Sequence, residues 1–416
     1  MNKLDAETVS AICSVEGIDM VNDITEADVI LLNTCAVRDN AEMRIHGRIG
    51  ELMSLRRGNP ALIFGVIGCM AQRIGGGLLS DVVRLVVGPD SYRSLPVLLR
   101  RAYEERVVDT VLKESEMYDD IAPVRTDTLS AWVAVMRGCD NFCSYCIVPY
   151  TRGRERSILP DVVLSQVKDL VGRGYKEVTL LGQNVNSYSA EGLDFAGLLD
   201  RTAATGMPWV RFLTSHPKDL TMEMLEVMAE RDNVCRHLHL PIQSGSDAVL
   251  KAMNRGYDST RYLRLVDAAR AVMPDLAITT DFIFGFPGET DDEYRKTLDV
   301  MERVRFDYAF LYRYSEREGT KAVGLPGSVP EDVRIARLSA AIELQQAITR
   351  EKHEAYSGKE TVVLVKRRSK DDDGWFGFSE MSIPVVVKGI ESVQIGDFVT
   401  ARITGTTGAS LMGEIV

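Results

Sequence analysis

Only seven of the 416 residues are cysteine, too few for a disulfide scaffold in a chain of this length. Histidine is rarer still, at five residues, and its positions form no recognisable metal-binding pattern. Uncharged apolar runs of about 18 residues, the length that spans a bilayer, do not occur. The opening MNKLDAETVS lacks the basic-then-apolar pattern of an export signal. Together these absences lead to the expectation of a cytoplasmic chain whose thiols stay reduced and free to bind metal. Positive charge is also in short supply. Lys and Arg number 49 against 60 Asp and Glu, a net charge of −11, which argues against nonspecific coating of nucleic acid and leaves only local basic runs to consider.

What is present describes a globular chain of several cores: 45 % hydrophobic and 26 % charged residues over a length that suits two to three domains. Residues 24 to 110 contain ADVILLNTC, ALIFGVIGCM and VVRLVVG, apolar runs without alternation that read as buried strands of a small parallel α/β layer. Asp109 to Ser130 is polar, acidic and interrupted by Pro123, which suits a linker. Six further apolar runs follow, AWVAVMRG, EVTLLG, WVRFLT, RHLHLP, LAITTDFIFG and DYAFLYRY, each followed by a helical pattern. That repetition predicts a partial (β/α)6 barrel with its functional loops at the strand C-terminal ends. A charged helix is expected from Glu331 to Tyr356, opened by Pro330 and stopped by Gly358. Short runs after it, ETVVLVKRR, SIPVVVKG, DFVTARITG and SLMGEIV, predict a small all-β barrel. The fold class is therefore α/β with domains at 1–110, 125–356 and 357–416.

The strongest chemical signal is RGCDNFCSYC, which spaces Cys139, Cys143 and Cys146 as C-x3-C-x2-C directly after an apolar strand. Three thiolates hold three irons of a cubane cluster and leave the fourth iron open. A closed zinc site is the plainer alternative, but it takes four ligands, and no second Cys pair stands beside this one.

These residues resemble the radical S-adenosylmethionine (SAM) superfamily, and more narrowly its methylthiotransferases, over nearly the whole chain. The resemblance extends to PYTRGRERS after the cysteine loop, TLLGQNVNSY at Thr179 to Tyr188, TSHP at Thr214 to Pro217, HLPIQSGS at His239 to Ser246 and TTDFIFGFPGET at Thr279 to Thr290. The wording LLGQNVNSY is most similar to the branch that converts N6-isopentenyladenosine beside the tRNA anticodon, position 37, to its 2-methylthio derivative. By resemblance, Cys139, Cys143 and Cys146 hold a [4Fe-4S] cluster that cleaves SAM to a 5′-deoxyadenosyl radical, which removes hydrogen from adenine C2. Tyr145, Gly182, Gln183, Ser215, Gln243 and the stretch Phe284 to Pro287 are implied SAM contacts. A second, auxiliary [4Fe-4S] cluster is implied at Cys35 and Cys69. The family's first auxiliary cysteine lies in a Cys-Gln-Met-Asn motif after an initial strand. This chain opens at Met1-Asn2, so that ligand is expected upstream, from a late-assigned start or a truncated chain.

Cys13 shares a helical stripe with Val9 and Ile12 and reads as a buried structural thiol, as does Cys235 at a strand entrance. His216, His237 and His239 are expected to pack or hydrogen-bond. The last domain resembles the TRAM module, an RNA-binding β-barrel. Lys366, Arg367, Arg368 and Lys370 in it, with Arg152, Arg154 and Arg156 after the cysteine loop, are expected to face RNA phosphates, though Asp371 to Asp373 oppose the first group. Implied partners are the tRNA anticodon stem-loop, a low-potential electron donor and a sulfur donor, with a monomeric chain. The alternatives kept are the same chemistry on a ribosomal protein side chain or on threonylcarbamoyladenosine tRNA, and a degenerate RNA-binding iron-sulfur protein.

Overall fold

The structure, a computed structural model, describes residues 1–35, 39–369, 374–389 and 392–416. Lys370 and Asp371 to Asp373 lie outside the described residues. Near the N-terminus, β1 (Val29–Thr34), β2 (Ile63–Gly68), β3 (Val83–Val87) and β4 (Val107–Asp109) form a parallel sheet in the order β1-β2-β3-β4. Apolar side chains fill both of its faces, with Ile63, Ile67, Leu85 and Val87 on one and Phe64, Val66, Val83 and Val86 on the other. That two-sided burial is why these strands show no polar alternation. The fourth strand, only three residues long, fell outside the runs singled out above. α1 (Asn2–Val15) buries Val9, Ile12 and Cys13 against the first of these faces.

Between Asp109 and Ser130 the chain holds no helix or strand but is pinned at points. Tyr118 is buried and donates to the Pro89 carbonyl, while Arg125 pairs with Glu7 at 3.1 Å.

Six parallel strands follow: β5 (Ser130–Ala134), β6 (Glu177–Leu181), β7 (Trp209–Phe212), β8 (His237–His239), β9 (Ala277–Phe284) and β10 (Tyr308–Arg313). They pair as β7-β6-β5 and β8-β9-β10, and a single bridge from Val210 to Val234 joins the halves. The sheet stays open between β5 and β10, which makes a partial barrel. Val133, Val178, Leu180, Val210, Leu238, Ile278 and Phe282 belong to the core under the outer helices. Strand alternation turns the residues of opposite parity, Glu177, Arg211, His237, His239, Thr279 and Asp281, to the barrel interior. This interior is therefore polar, unlike the apolar filling of a closed barrel. A long helix, α2 (Glu331–Glu354), leads to a closed five-stranded barrel of β11 (Glu360–Arg368), β12 (Trp375–Ser379), β13 (Pro384–Lys388), β14 (Phe398–Thr406) and β15 (Leu411–Ile415). β12 is one strand more than the hydrophobic pattern predicts, because Gly377 and aromatic residues interrupt its alternation.

The terminal barrel is held to the N-terminal ends of the central strands by a partly buried charge cluster. Arg211 donates to Glu177 at 3.0 Å, to the carbonyls of Ser379 and Glu380, and to Ser382 Oγ. Lys366 reaches Glu177 at 2.8 Å and also bonds Ser130. Burial alone raises the Glu177 pKa, but Arg211 and Lys366 overcome it and bring the value down to about 2. A depressed carboxylate pKa gives stability that is full above the unfolded value of 4.5 and is lost as pH falls toward about 2. At 1.36 kcal/mol per pKa unit the contribution is about 3 kcal/mol. Acid unfolding followed by tryptophan fluorescence of Trp209, which stacks edge-on to Phe398, is expected to show this loss between pH 4.5 and 2. Glu177→Gln is expected to flatten that window and lower stability at neutral pH; an unchanged profile in the variant contradicts the assignment.

Candidate active site

The cysteine loop begins where Met136–Arg137 pairs with Arg156–Ser157. Gly138 turns the chain with φ +77°, and a Cβ there would sit 1.9 Å from the Arg154 carbonyl oxygen, so only glycine fits. The Gly138 N–H donates to Gln183 Oε1 and the Cys139 N–H to the Gly153 carbonyl. A second clamp comes from residues 252 to 255. Ser144 bonds the carbonyls of Ala252 and Met253, and Asn254 Nδ2 donates to the carbonyls of Asn141 and Phe142, both at 3.1 Å. Arg255 completes it, donating to Cys143 Sγ at 3.4 Å and to Tyr145 Oη at 3.2 Å.

Cys139 and Cys143 are buried, Cys146 is half-buried, and none of the three forms a disulfide. Burial pushes the Cys139 thiol up to about 11 and the Cys146 thiol up to about 12, and the neighbouring Cys143 adds to both shifts. Thiols raised by burial, as Cys139 and Cys146 are, give up their protons readily only to a cationic partner such as an iron-sulfur core. Among the described residues no three His, Cys, Asp or Glu side chains converge on the position of a single ion. A cubane makes no such demand, since its three thiolates bind different irons. The donor set therefore fits a [4Fe-4S] cluster.

The SAM contacts implied by resemblance divide on inspection. Ser215 is buried with its Oγ unpartnered, as is Asn184 Oδ1 beside it on the strand ends, so both have bonding capacity to offer a ligand. Gln243 adopts φ +76° and ties β8 to β9 through backbone bonds with Asp281 and Ile283. Gln183 spends its carbonyl on Gly138, which makes it a loop-positioning residue, and Gly182 admits the Met136 side chain, whose Cγ lies 2.4 Å from where a Cβ would be. Phe284 is a correction: it is fully buried against Phe282 and Tyr294 in the outer core and cannot flank a ligand. Phe286, two residues on, stands edge-on to Tyr145 with ring centres 6.5 Å apart, and Pro287 is buried next to it. His216 accepts from the Lys218 N–H through Nδ1, and burial lowers its pKa so that the ring stays neutral. His237 and His239 share Thr279 Oγ1, each at 3.0 Å.

Cys35 and Cys69 follow the paired strand ends Thr34 and Gly68 at the C-terminal edge of the first sheet, the edge where α/β folds place ligands. Cys69 packs on Ile147, the residue after Cys146. The basic residues after the cysteine loop are a second correction. Arg152 is 2 % exposed; it bonds Asp5 through both terminal nitrogens and donates to Cys69 Sγ at 3.1 Å. Arg156 turns to Asp90 and to the carbonyls of Lys113 and Arg152. Both are committed to joining the barrel to the N-terminal sheet, so neither faces RNA. Lys366 is likewise held by Glu177. Arg154 remains exposed over Phe142 beside Asp140, while Arg367 and Arg368 lie exposed over Phe376 and Trp375, at 4.3 and 3.7 Å from the ring centres. The clamp at Asn254 and Arg255 escaped sequence reasoning, although two polar residues between a short helix and Gly256 were a usable signal.

Fold and cysteine loop together define a radical SAM barrel enzyme. The Radical SAM superfamily model matches residues 133–301, the TRAM domain model residues 354–416, and the model described as Uncharacterized protein family UPF0004 residues 1–88. A tRNA-2-methylthio-N(6)-dimethylallyladenosine synthase of Bacteroides thetaiotaomicron is 45 % identical over 429 residues, covering 100 % of this chain and 94 % of the relative. One of Chloroherpeton thalassium is 45 % identical over 422 residues, with 100 % and 93 % covered. The chain belongs to the family of tRNA-2-methylthio-N(6)-dimethylallyladenosine synthases, radical SAM methylthiotransferases. Its fold is shared with the radical SAM methyltransferase TsrM of Kitasatospora setae, at TM-score 0.54 and 14 % identity over 74 % of this chain and 69 % of that one. The cobalamin-dependent SAM radical enzyme OxsB is alike in fold at TM-score 0.53 and 15 % identity over 89 % and 60 %. Among the described residues no helix is long and apolar enough to cross a membrane.

Proposed function

We propose that this chain adds a methylthio group to C2 of N6-isopentenyladenosine at position 37 of tRNA, with Cys139, Cys143 and Cys146 holding the SAM-cleaving cluster. The supporting observation is a clamped three-cysteine loop at the rim of an open, polar barrel, in a chain aligned from end to end with relatives named for that product. When bound, a [4Fe-4S] cluster with one iron free of protein thiolate supplies the electron that cleaves SAM, giving a radical able to take hydrogen from an unactivated carbon.

The protein's part is to hold and orient. Ser215 and Asn184 offer their unpartnered oxygens to polar groups of SAM, and Tyr145 with Phe286 presents aromatic edges to its adenine. Cys35 and Cys69 are assigned to an auxiliary cluster that carries the sulfur. Arg367 and Arg368, each stacked on an aromatic ring of the terminal barrel, are assigned to the RNA backbone and its unstacked bases, and Arg154 to a phosphate near the cysteine loop. A low-potential electron donor and a sulfur donor complete a cytoplasmic reaction carried out by a monomer. Domains at 1–110, 125–356 and 357–416 fit this division of labour.

Nucleoside mass spectrometry tests the reading. In a bacterial strain lacking its own 2-methylthio-N6-isopentenyladenosine, expression of this chain is expected to restore that nucleoside. Accumulation of the unmodified N6-isopentenyladenosine despite folded, cluster-loaded protein contradicts the assignment.

A further inference from the structure

One buried cation next to the cysteine loop has no role in the scheme above. Arg255 is 4 % exposed, and every arm of its guanidinium is directed. Nε donates to Tyr257 Oη at 2.9 Å, Nη2 to the Pro241 carbonyl at 2.8 Å, and Nη1 to both Cys143 Sγ at 3.4 Å and Tyr145 Oη at 3.2 Å. Tyr257 is fixed in turn by donating to the Ile242 carbonyl at 2.9 Å. No carboxylate pairs with Arg255 among the described contacts; its acceptors are a sulfur, two phenols and a carbonyl. A full positive charge thus stays uncompensated by protein anions in a desolvated place, which is costly unless something negative arrives. The thiolate of Cys143 is that anion.

We propose that Arg255 is a positioning residue that donates a charge-assisted hydrogen bond to the cluster-ligating sulfur of Cys143 and thereby raises the reduction potential of the cluster, with Tyr257 holding the guanidinium in line. The physical basis is that reduction adds one negative charge to a site of low dielectric. A nearby cation and a hydrogen bond to sulfur both stabilise the more negative state. The same nitrogen, by bonding Tyr145, couples the sulfur to the aromatic wall of the SAM site. This inference rests on the cluster assignment at Cys139, Cys143 and Cys146.

The experiment is a redox titration, followed by electron paramagnetic resonance, of the anaerobically reconstituted full-length chain, with iron and sulfide measured on each preparation. Arg255→Gln is expected to lower the reduced-to-oxidised ratio about tenfold at the parent midpoint, which for a one-electron couple is about 59 mV. Arg255→Lys, which keeps charge but loses the planar fork, is expected to shift the midpoint in the same direction by less. Tyr257→Phe, which removes the anchor on Nε together with the hydroxyl's bond to the Ile242 carbonyl, is expected to give a small shift of the same sign. Midpoints equal to the parent in Arg255→Gln at full iron loading overturn the proposal. Should Arg255→Gln lose iron, unchanged midpoints in both Arg255→Lys and Tyr257→Phe overturn it equally. A parent chain that takes up no cluster refutes the assignment beneath, and is seen before any variant is compared.

Discussion

Cys143→Ala is expected to lose the iron and sulfide of one cluster on anaerobic reconstitution and to form no 5′-deoxyadenosine above the protein-free control. Cys143 lies at the centre of the loop, buried, with its sulfur the acceptor for Arg255 Nη1. Alanine removes one of three thiolates and also leaves a buried guanidinium arm without its acceptor. The loop backbone is held by Gln183, Ala252, Met253 and Asn254 independently of that sulfur, so the chain is expected to fold and the loss to be one of cofactor. Cys235→Ala is the matched control. That thiol is buried against Trp209 and Leu364 at the junction with the terminal barrel, far in role from the cysteine loop, and its variant is expected to retain iron and SAM cleavage. SAM cleavage at the parent rate by Cys143→Ala contradicts the ligand assignment.

Arg152→Ala is expected to lower the stability of the N-terminal unit by about 3 to 5 kcal/mol, the usual cost of stripping one partner from a buried ion pair. Asp5 and Arg152 have side chains 2 % and 3 % exposed. Burial raises the Asp5 pKa, but Arg152 overcomes it and the carboxyl is held below its ordinary value. Removing the guanidinium leaves that carboxylate buried and unpaired, and takes a donor from Cys69 Sγ as well. Asp5→Leu combined with Arg152→Met is expected to recover most of the loss, because an apolar pair of similar volume carries no desolvation penalty. Urea denaturation at neutral pH, followed by circular dichroism, distinguishes these outcomes. An Arg152→Ala midpoint equal to the parent contradicts the structural role given to this pair.

The interface around Asp5 shows what the sequence alone does not carry. Apolar runs announced the strands because burial of a sheet on both faces demands them, and the cysteine spacing announced its loop because cluster geometry demands that. Arg152 and Arg156 looked like a basic patch, yet Asp5, Glu7 and Asp90, scattered over the first ninety residues, meet Arg152, Arg125 and Arg156 in space. Charge runs reveal their partners only through the tertiary fold. Lys366 was misread for the same reason, since its partner Glu177 stands 189 residues away. Phe284 and Phe286 differ by two positions on or just past one strand, and only the end of β9 decides which ring faces Tyr145. β12 was missed because Gly377, where a Cβ would lie 2.2 Å from the Leu364 carbonyl, interrupts the alternation for the sake of close barrel packing.

The central claim is that three thiolates leave one iron open to SAM. Reduced, cluster-loaded protein measured by electron paramagnetic resonance before and after adding SAM tests it most directly. A changed g-tensor on addition, absent with Cys143→Ala, is the predicted result; a spectrum indifferent to SAM at full cluster loading contradicts it.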